Sequence, residues 1–337
     1  ASLYLTATKP ELTTSTPYTP KEIVQETAIK TSPQPKVKEI TPGCALIIKK
    51  DGTVAEKEIL PSLKKTPCSF ERIYFSRGND VDIYRERQAL GGGLADQIID
   101  AIHGDWANTV FSYIPNTSET AFYGLMSGLR SRRRDEVKAA ILKASREGKL
   151  DEAMLDDLIL RNWPRGEKVV SKDIKLRTFI GQESLRNQLA SHVYDITYGS
   201  VLPNEDNLVV VDDSIVRGTT TRQVITMLRE AGAAEVHFRV SSPPYRWPCF
   251  YGMDTGRRGE LLAADLSVGE IREYLGVDSL AYLEIDRLTA ATGAPAESFC
   301  TACLTGEYPV PVPLEDAKLV LEPGQPEVAP TTVTDAR

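Results

Sequence analysis

The stretch "NLVVVDDSIVRGTTTRQ", residues 207–223, constrains the fold more than any other part of the sequence. Leu208–Val211 is a short unbroken apolar run, mostly β-branched, which is typical of a strand buried on both faces. Two acidic residues follow it, and helical spacing of apolar residues begins at Thr221. The alternating segment "VHFRV" at 236–240 completes a strand–loop–helix–strand unit. Such a unit predicts an α/β fold with a mainly parallel sheet flanked by helices.

Composition adds limits to this prediction. The chain has 337 residues, of which 41% are apolar and 26% charged, as in ordinary globular proteins. Its net charge of -7 argues against general nucleic-acid binding. No apolar run approaches the ~20 residues of a membrane span, and the first residues lack the pattern of a signal peptide. Five cysteines do not make a disulfide scaffold in a chain of this length. We therefore expect a cytoplasmic protein without nucleic-acid or membrane partners.

Patterns elsewhere predict further elements. Asp51-Gly52 between two apolar segments predicts a hairpin over 44–60. Residues 1–40 lack periodicity and predict a linker, and residues 314–337 predict a disordered tail. The other predicted elements are strands at 70–77, 109–115 and 176–180, and helices at 81–102 with a break at Gly91–Gly93, 119–158, 181–199 and 266–305.

The loop after the buried strand combines groups that suit a phosphorylated sugar. Ligands of open α/β sheets bind at the carboxyl ends of strands, and backbone amides at a helix N-terminus bind phosphate. Two adjacent carboxylates would repel phosphate, but they can hold vicinal hydroxyls or Mg²⁺. Phosphoribosyl pyrophosphate could bind all of these groups, because it carries a 5-phosphate, vicinal hydroxyls and a pyrophosphate that binds Mg²⁺. A helix N-cap is the simpler interpretation of an acid pair taken alone. The predicted binding residues are Asp212, Asp213, Ser214, Arg217, Gly218, Thr219, Thr220 and Thr221.

The string "VVVDDSIVRGTTTR" resembles the phosphoribosyl pyrophosphate signature of the type I phosphoribosyltransferases. With "PCFYGMDT" at 248–255 and "CSFERIYFSR" at 68–77, the chain is similar to one branch, the glutamine phosphoribosylpyrophosphate amidotransferases. The resemblance implies a type I phosphoribosyltransferase fold. It also implies transfer of ammonia, taken from glutamine in the full-length enzyme, to phosphoribosyl pyrophosphate in the first step of purine synthesis. Purine nucleotides as feedback ligands and a homo-oligomer are further expectations.

Two more segments resemble parts of this family's active site. "IPNTSET" at 114–120 resembles the pyrophosphate loop, so that the expected Mg²⁺ ligands are Ser118, Asp212 and Asp213. "SKDIKLRTFI" at 171–180 resembles the flexible loop that closes over substrate. Its spacing leaves open which cation acts, and a solvated basic loop is the alternative interpretation. The candidate cations are Lys172, Lys175 and Arg177.

The cysteines carry a separate signal. Cys300 and Cys303 form a C-x-x-C pair, which indicates metal or redox chemistry. Zn²⁺ also suits four cysteines, and buried thiols acting as small apolar side chains are the simplest alternative. The resemblance implies a [4Fe–4S] cluster held by Cys68, Cys249, Cys300 and Cys303. Cys44 has no role in this cluster.

The resemblance also divides the chain. We expect a linker and remnant of an N-terminal-nucleophile glutaminase domain at 1–66, a phosphoribosyltransferase core at 67–265, a C-terminal helical region carrying cluster cysteines at 266–313, and the tail at 314–337. The chain starts "ASLYL", without the cysteine nucleophile of that glutaminase, so we expect a transferase site alone. Two rivals remain: a phosphoribosyltransferase acting on a nucleobase or orotate, and a non-catalytic phosphoribosyl pyrophosphate sensor.

Overall fold

The computed structural model describes residues 40–172, 193–253, 255 and 258–312. These residues form two compact units that divide between Lys65 and Thr66. Within the same ranges, no helix has the length and apolar character needed to cross a bilayer. The predicted strand at 176–180, the predicted tail and nearly all of the predicted linker lie outside the described residues, as do Lys175 and Arg177.

The first unit contains an antiparallel hairpin, made of β1 (Cys44–Ile48) and β2 (Val54–Glu58). Its turn contains Asp51, whose carboxylate accepts a hydrogen bond from the Thr53 amide at 2.9 Å. Gly52 has φ +85°, a left-handed conformation that favours glycine. The hairpin predicted over 44–60 is confirmed.

The second unit is built on a five-stranded parallel sheet with the order β4–β3–β7–β8–β9. A separate antiparallel pair is formed by β5 and β6. The central strand is β7, in which every residue from Leu208 to Val211 is fully buried, so the predicted buried strand is confirmed. The strands of the unit are β3 (Thr109–Tyr113), β4 (Arg165–Gly166), β5 (Val170–Lys172), β6 (Tyr194–Ile196), β7 (Asn207–Asp212), β8 (Glu235–Val240) and β9 (Ser279–Tyr282).

Helices cover both faces of this sheet. Alternate residues of β7 point to opposite faces, so that Val209 and Val211 join one apolar core while Leu208 and Val210 join another. The break predicted at Gly91–Gly93 is confirmed, because one helix ends and the next begins there. The helices are α1 (Val81–Gly92), α2 (Ala95–Ala101), α3 (Glu119–Arg146), α4 (Glu152–Asp156), α5 (Thr219–Glu230), α6 (Leu262–Asp265), α7 (Val268–Leu275), α8 (Ile285–Thr292) and α9 (Ala302–Thr305).

Helices α1 and α3 touch backbone to backbone. A Cβ atom on Gly91 would lie 1.7 Å from the carbonyl oxygen of Ala121, and one on Gly124 would lie 1.9 Å from that of Gln88. No side chain fits at either glycine. The contact therefore fixes α1 against the first turns of α3, which begins at Glu119 within the segment predicted as the pyrophosphate loop.

The strand predicted at 70–77 is wrong. Residues Glu71–Phe75 form a single wide helical turn, in which the Ser76 amide donates to the Glu71 carbonyl at 2.7 Å. Phe70 and Ile73 are each 1% exposed and lie three residues apart, as helical geometry requires for neighbours on one side. The aromatic and β-branched residues that suggested a strand serve here to anchor a turn.

Two predicted helical regions each include a strand. Residues 181–192 lie outside the described residues, and the rest of the region 181–199 includes β6, which pairs with β5. The region 266–305 contains helices α7, α8 and α9 as predicted, but it also includes β9, which extends the main sheet beyond β8, so the helical prediction is wrong at 279–282. Four residues, all partly buried, are too few to show the period-two alternation that identifies a strand.

Candidate active site

An adjacent pair of carboxylates lies at the carboxyl end of the central strand. Asp212 is the last residue of β7 and Asp213 follows it, and the two residues are 9% and 8% exposed. The Asp213 amide donates to Asp212 Oδ1 at 2.9 Å. The Ser214 hydroxyl donates to Asp213 Oδ1 at 2.7 Å. The sheet thus holds two acids side by side where α/β proteins bind ligands.

Both carboxyls have raised pKa values. Burial, and then the neighbouring Asp213, raise the pKa of Asp212 well above its usual range. Burial also raises the pKa of Asp213 to about 6, although the Ser214 and Thr117 hydroxyls and the charges of Arg87 and Lys172 act in the opposite direction. Two buried carboxylates with incomplete compensation suit a divalent cation or hydroxyl donors.

The N-terminus of α5 lies directly after this acid pair in sequence. Gly218 precedes the helix with φ +75°, and a Cβ atom there would approach Leu262 Cδ2 to 2.6 Å. Thr219 and Thr220 are exposed, whereas Thr221 is buried. The unpaired amides of the first helical turn and two exposed hydroxyls suit a phosphate group.

The other predicted site residues differ in whether their side chains lie near the acid pair or are bonded to other groups. The Lys172 ammonium lies 5.4 Å from the centre of the Tyr194 ring and acts electrostatically on both carboxylates. Arg217 instead forms an ion pair with Glu260 at 2.7 Å. The Ser118 hydroxyl is fully buried and donates to the Ile114 carbonyl oxygen. The structure therefore brings Lys172 to the acid pair, while Arg217 and Ser118 are engaged with other groups.

Sequence reasoning missed Arg87. This residue follows Ile83 by four positions and precedes Leu90 by three, so a charged side chain stands on the buried face of α1. That interruption of an apolar stripe was the available signal. Arg87 lies beside a cleft of about 510 Å³, whose wall also includes Tyr74, Gly78, Asn116, Thr117 and Thr120.

Three separate segments bring the four candidate cluster cysteines into one region. Cys68 and Cys300 are partners in a parallel bridge, with the Cys300 amide donating to the Pro67 carbonyl at 2.8 Å. The Glu71 amide donates to Cys68 Sγ at 3.4 Å. The Cys303 carbonyl accepts a hydrogen bond from the Trp247 amide at 3.0 Å. Trp247 is two residues before Cys249, so this bond joins the segments of both cysteines.

These thiols lie in a desolvated region in which they influence one another's pKa values. Burial raises the pKa of the Cys68, Cys300 and Cys303 thiols, and neighbouring cysteines, Cys249 among them, raise each pKa further. Within the described ranges, no three His, Cys, Asp or Glu side chains are grouped closely enough to hold a metal ion as they stand. Thiolates in a desolvated pocket need a cation for stability, and an amide hydrogen bond to sulfur is typical of iron–sulfur ligands.

The fold and the acid-pair site define the class: this is a type I phosphoribosyltransferase fold. No family model matches the chain. Known proteins do match it. The chain is 52% identical over 264 residues to an amidophosphoribosyltransferase of Synechococcus elongatus, covering 76% of this chain and 45% of that protein. It is 35% identical over 283 residues to amidophosphoribosyltransferase 2, chloroplastic, of Arabidopsis thaliana, covering 83% and 43%.

A solved structure agrees with these relatives. The glutamine phosphoribosylpyrophosphate amidotransferase of B. subtilis, complexed with ADP and GMP, aligns with a TM-score of 0.56 and 34% identity, covering 81% of this chain and 53% of that one. Over the aligned portion, the chain belongs to the amidophosphoribosyltransferase family. It spans about half the length of the curated relatives it matches.

Proposed function

We propose that this chain carries the transferase site of an amidophosphoribosyltransferase. Ammonia would displace pyrophosphate from C1 of phosphoribosyl pyrophosphate and give 5-phosphoribosylamine, the first step of purine synthesis. The observation that supports this most is the buried Asp212–Asp213 pair, which stands at the end of the central strand directly before α5. The names of the relatives support the same reaction.

Each part of the site has a role in this proposal. The amides that begin α5 and the hydroxyls of Thr219 and Thr220 hold the 5-phosphate, and Ser214 and Gly218 shape the loop around it. Asp212 and Asp213 accept hydrogen bonds from the ribose 2- and 3-hydroxyls. Holding both ends of the sugar places C1 for attack, which removes much of the entropic cost of the displacement.

Mg²⁺ fits the acid pair. Both carboxyls are buried with raised pKa values, so that a divalent cation would relieve their repulsion and desolvation. Bound Mg²⁺ would neutralise charge on the departing pyrophosphate. Lys172 supplies a further positive charge beside the pair. Ser118 and Arg217 would reach the substrate only by exchanging their present partners.

We also propose that Cys68, Cys249, Cys300 and Cys303 hold a [4Fe–4S] cluster, with Zn²⁺ as the alternative. Their thiols come from three segments, and buried Cys303 has the three others as electrostatic neighbours. A cluster would join these segments covalently. It therefore has a structural role that does not require contact with the acid pair.

The remaining proposals concern the rest of the protein. We infer that residues 1–66 end a glutaminase domain and that glutamine supplies the ammonia in the full-length enzyme. Residues 67–265 form the transferase core and 266–313 a C-terminal region that carries two cluster cysteines. We further propose that the protein is a homo-oligomer and that it lies in the cytoplasm, whose reducing environment suits the thiols. Purine nucleotides are the proposed feedback ligands. The solved relative with ADP and GMP bound supports the feedback ligands.

An assay of pyrophosphate release tests the reaction. The anaerobically prepared chain is given phosphoribosyl pyrophosphate, Mg²⁺ and an ammonium salt, and ammonia-dependent release of pyrophosphate is expected. A parallel reaction without ammonium is the control. Release that depends on a nucleobase would support the rival phosphoribosyltransferase instead, and binding without turnover would support the sensor.

Replacing Thr220 by Val is expected to weaken the binding of ribose 5-phosphate about 10-fold. The change keeps the shape of the side chain and removes one hydroxyl donor to a charged phosphate. Calorimetric titration measures the affinity. Thr226→Val on the same helix is the matched control, because the Thr226 hydroxyl donates to the Arg222 carbonyl instead. Unchanged affinity in Thr220→Val would place the phosphate elsewhere.

A further inference from the structure

Arg87 is a buried cation with a fixed orientation. It is only 5% exposed. Its Nε donates to the Arg72 carbonyl at 3.0 Å and its Nη2 donates to the Ser76 carbonyl at 2.7 Å. These two acceptors lie at the start and just beyond the end of the wide turn Glu71–Phe75. The guanidinium is therefore held in place by backbone atoms and does not depend on a mobile loop.

The two glutamates near Arg87 in this region are engaged with other residues. Glu86 forms a bidentate contact with Arg72 through both of its oxygens. Glu119, the acid in the cleft wall, accepts hydrogen bonds from the hydroxyls of Tyr113 and Tyr123 at 2.9 Å each. Asp213 and Glu86 attract Arg87 electrostatically, but the hydrogen bonds of its Nε and Nη2 go to carbonyl oxygens. An anionic ligand can therefore still bind the guanidinium directly and supply further counter-charge.

The third guanidinium nitrogen faces the cleft. A Cβ atom on Gly78 would lie 3.4 Å from Arg87 Nη1 and 4.0 Å from Thr120 Oγ1. Gly78 therefore leaves room between the cation and a hydroxyl of α3. Asn116 and Thr117, which follow β3, line the same cleft, and the Thr117 hydroxyl also hydrogen-bonds Asp213. The cleft thus extends from Arg87 to Thr117, a direct neighbour of the acid pair.

We propose that Arg87 binds the pyrophosphate group of the substrate, together with the hydroxyls of Thr117 and Thr120. This inference rests on the proposed function. A planar guanidinium offers paired donors that match phosphate oxygens. Arg217, by contrast, is paired with Glu260. The leaving group is met by a preformed cation on a helix.

Binding of two product-like probes tests the assignment. Magnesium pyrophosphate and ribose 5-phosphate are titrated separately into the wild-type chain and into Arg87→Gln. We expect Arg87→Gln to weaken pyrophosphate binding 10- to 100-fold, as for loss of a charged hydrogen-bonding partner, and to change ribose 5-phosphate affinity less than about 2-fold. Arg85→Gln on the same helix is the control, since Arg85 is exposed.

Two further variants keep the proposal testable if Arg87→Gln does not fold. Gly78→Val leaves the Arg87 contacts intact and fills the space before Nη1, so pyrophosphate binding alone should weaken. Arg87→Lys keeps the charge and should restore part of the affinity. Equal losses for both probes, or unchanged pyrophosphate binding in Arg87→Gln and Gly78→Val, would overturn the role of Arg87 while leaving the proposed function intact. A wild-type chain that binds neither probe would overturn both.

Discussion

Asp213→Asn is expected to reduce phosphoribosyl pyrophosphate turnover by about 10³-fold and to leave the chain folded. Asn keeps the size of the side chain but removes the negative charge that would hold Mg²⁺ and the ribose diol. The measurement is ammonia-dependent pyrophosphate release. Asp100→Asn is the control, because Asp100 is an exposed carboxylate on α2. Turnover retained in Asp213→Asn with Mg²⁺ present would remove Asp213 from the site.

The same substitution should stabilise the ligand-free protein. The pKa of Asp213 is raised to about 6 in the fold, against about 3.9 in an unfolded chain. Its destabilising effect is therefore absent below about pH 4, grows between pH 4 and 6, and is complete above pH 6. At pH 8 we expect the variant to unfold roughly 5 °C higher than wild type, and at pH 4 at nearly the same temperature. A variant that is less stable than wild type at pH 8 would contradict this account.

Cys303→Ser is expected to abolish cluster binding and to loosen the second unit. Anaerobically prepared wild-type protein should contain about four irons per chain and be brown, whereas the variant should contain almost none. Because metal-bound thiolates join three segments of chain, their loss should lower the melting temperature by about 10 °C. Iron analysis and thermal unfolding measure the two effects. We expect turnover to fall only because the variant is less stable, since the thiols are not part of the acid-pair site.

The matched control for this experiment is Cys44→Ser. Cys44 belongs to the hairpin unit, so its replacement should change neither iron content nor the unfolding of the second unit. Stoichiometric zinc without iron in the wild type would replace the cluster by a zinc site and keep the structural role. Iron retained at wild-type level in Cys303→Ser would contradict the four-cysteine assignment.

The central part of the fold was predictable because its signals are local and strong. An unbroken apolar run and an amphipathic helix specify β7 and α5 directly. The edge strand β9 was missed, since it is short and partly exposed and depends on β8 for its hydrogen bonds. The turn at Glu71–Phe75 was missed for the opposite reason, because its residues favour strands and only its packing makes it helical.

The site divides in the same way. Asp212 and Asp213 were predicted as site residues because they end a buried apolar strand. Arg87 was not, because its partners are backbone carbonyls distant in sequence from the acid pair, and a single arginine in a helix is usually solvated. The engagement of Arg217 with Glu260 depends on residues 43 positions apart, which no local pattern indicates.

The backbone contact between α1 and α3 has a consequence for how this cleft can vary. Arg87 belongs to α1 and Thr120 to α3, so the separation of the two walls is set where Gly91 contacts the backbone of Ala121 and Gly124 that of Gln88. Substitutions elsewhere along the walls alter which groups face a ligand but not how far apart the walls stand. One methyl group at either glycine would instead force the helices apart. Mutations at many positions of the walls could therefore change the chemistry of the cleft, whereas substitutions at these two glycines are expected to change its width.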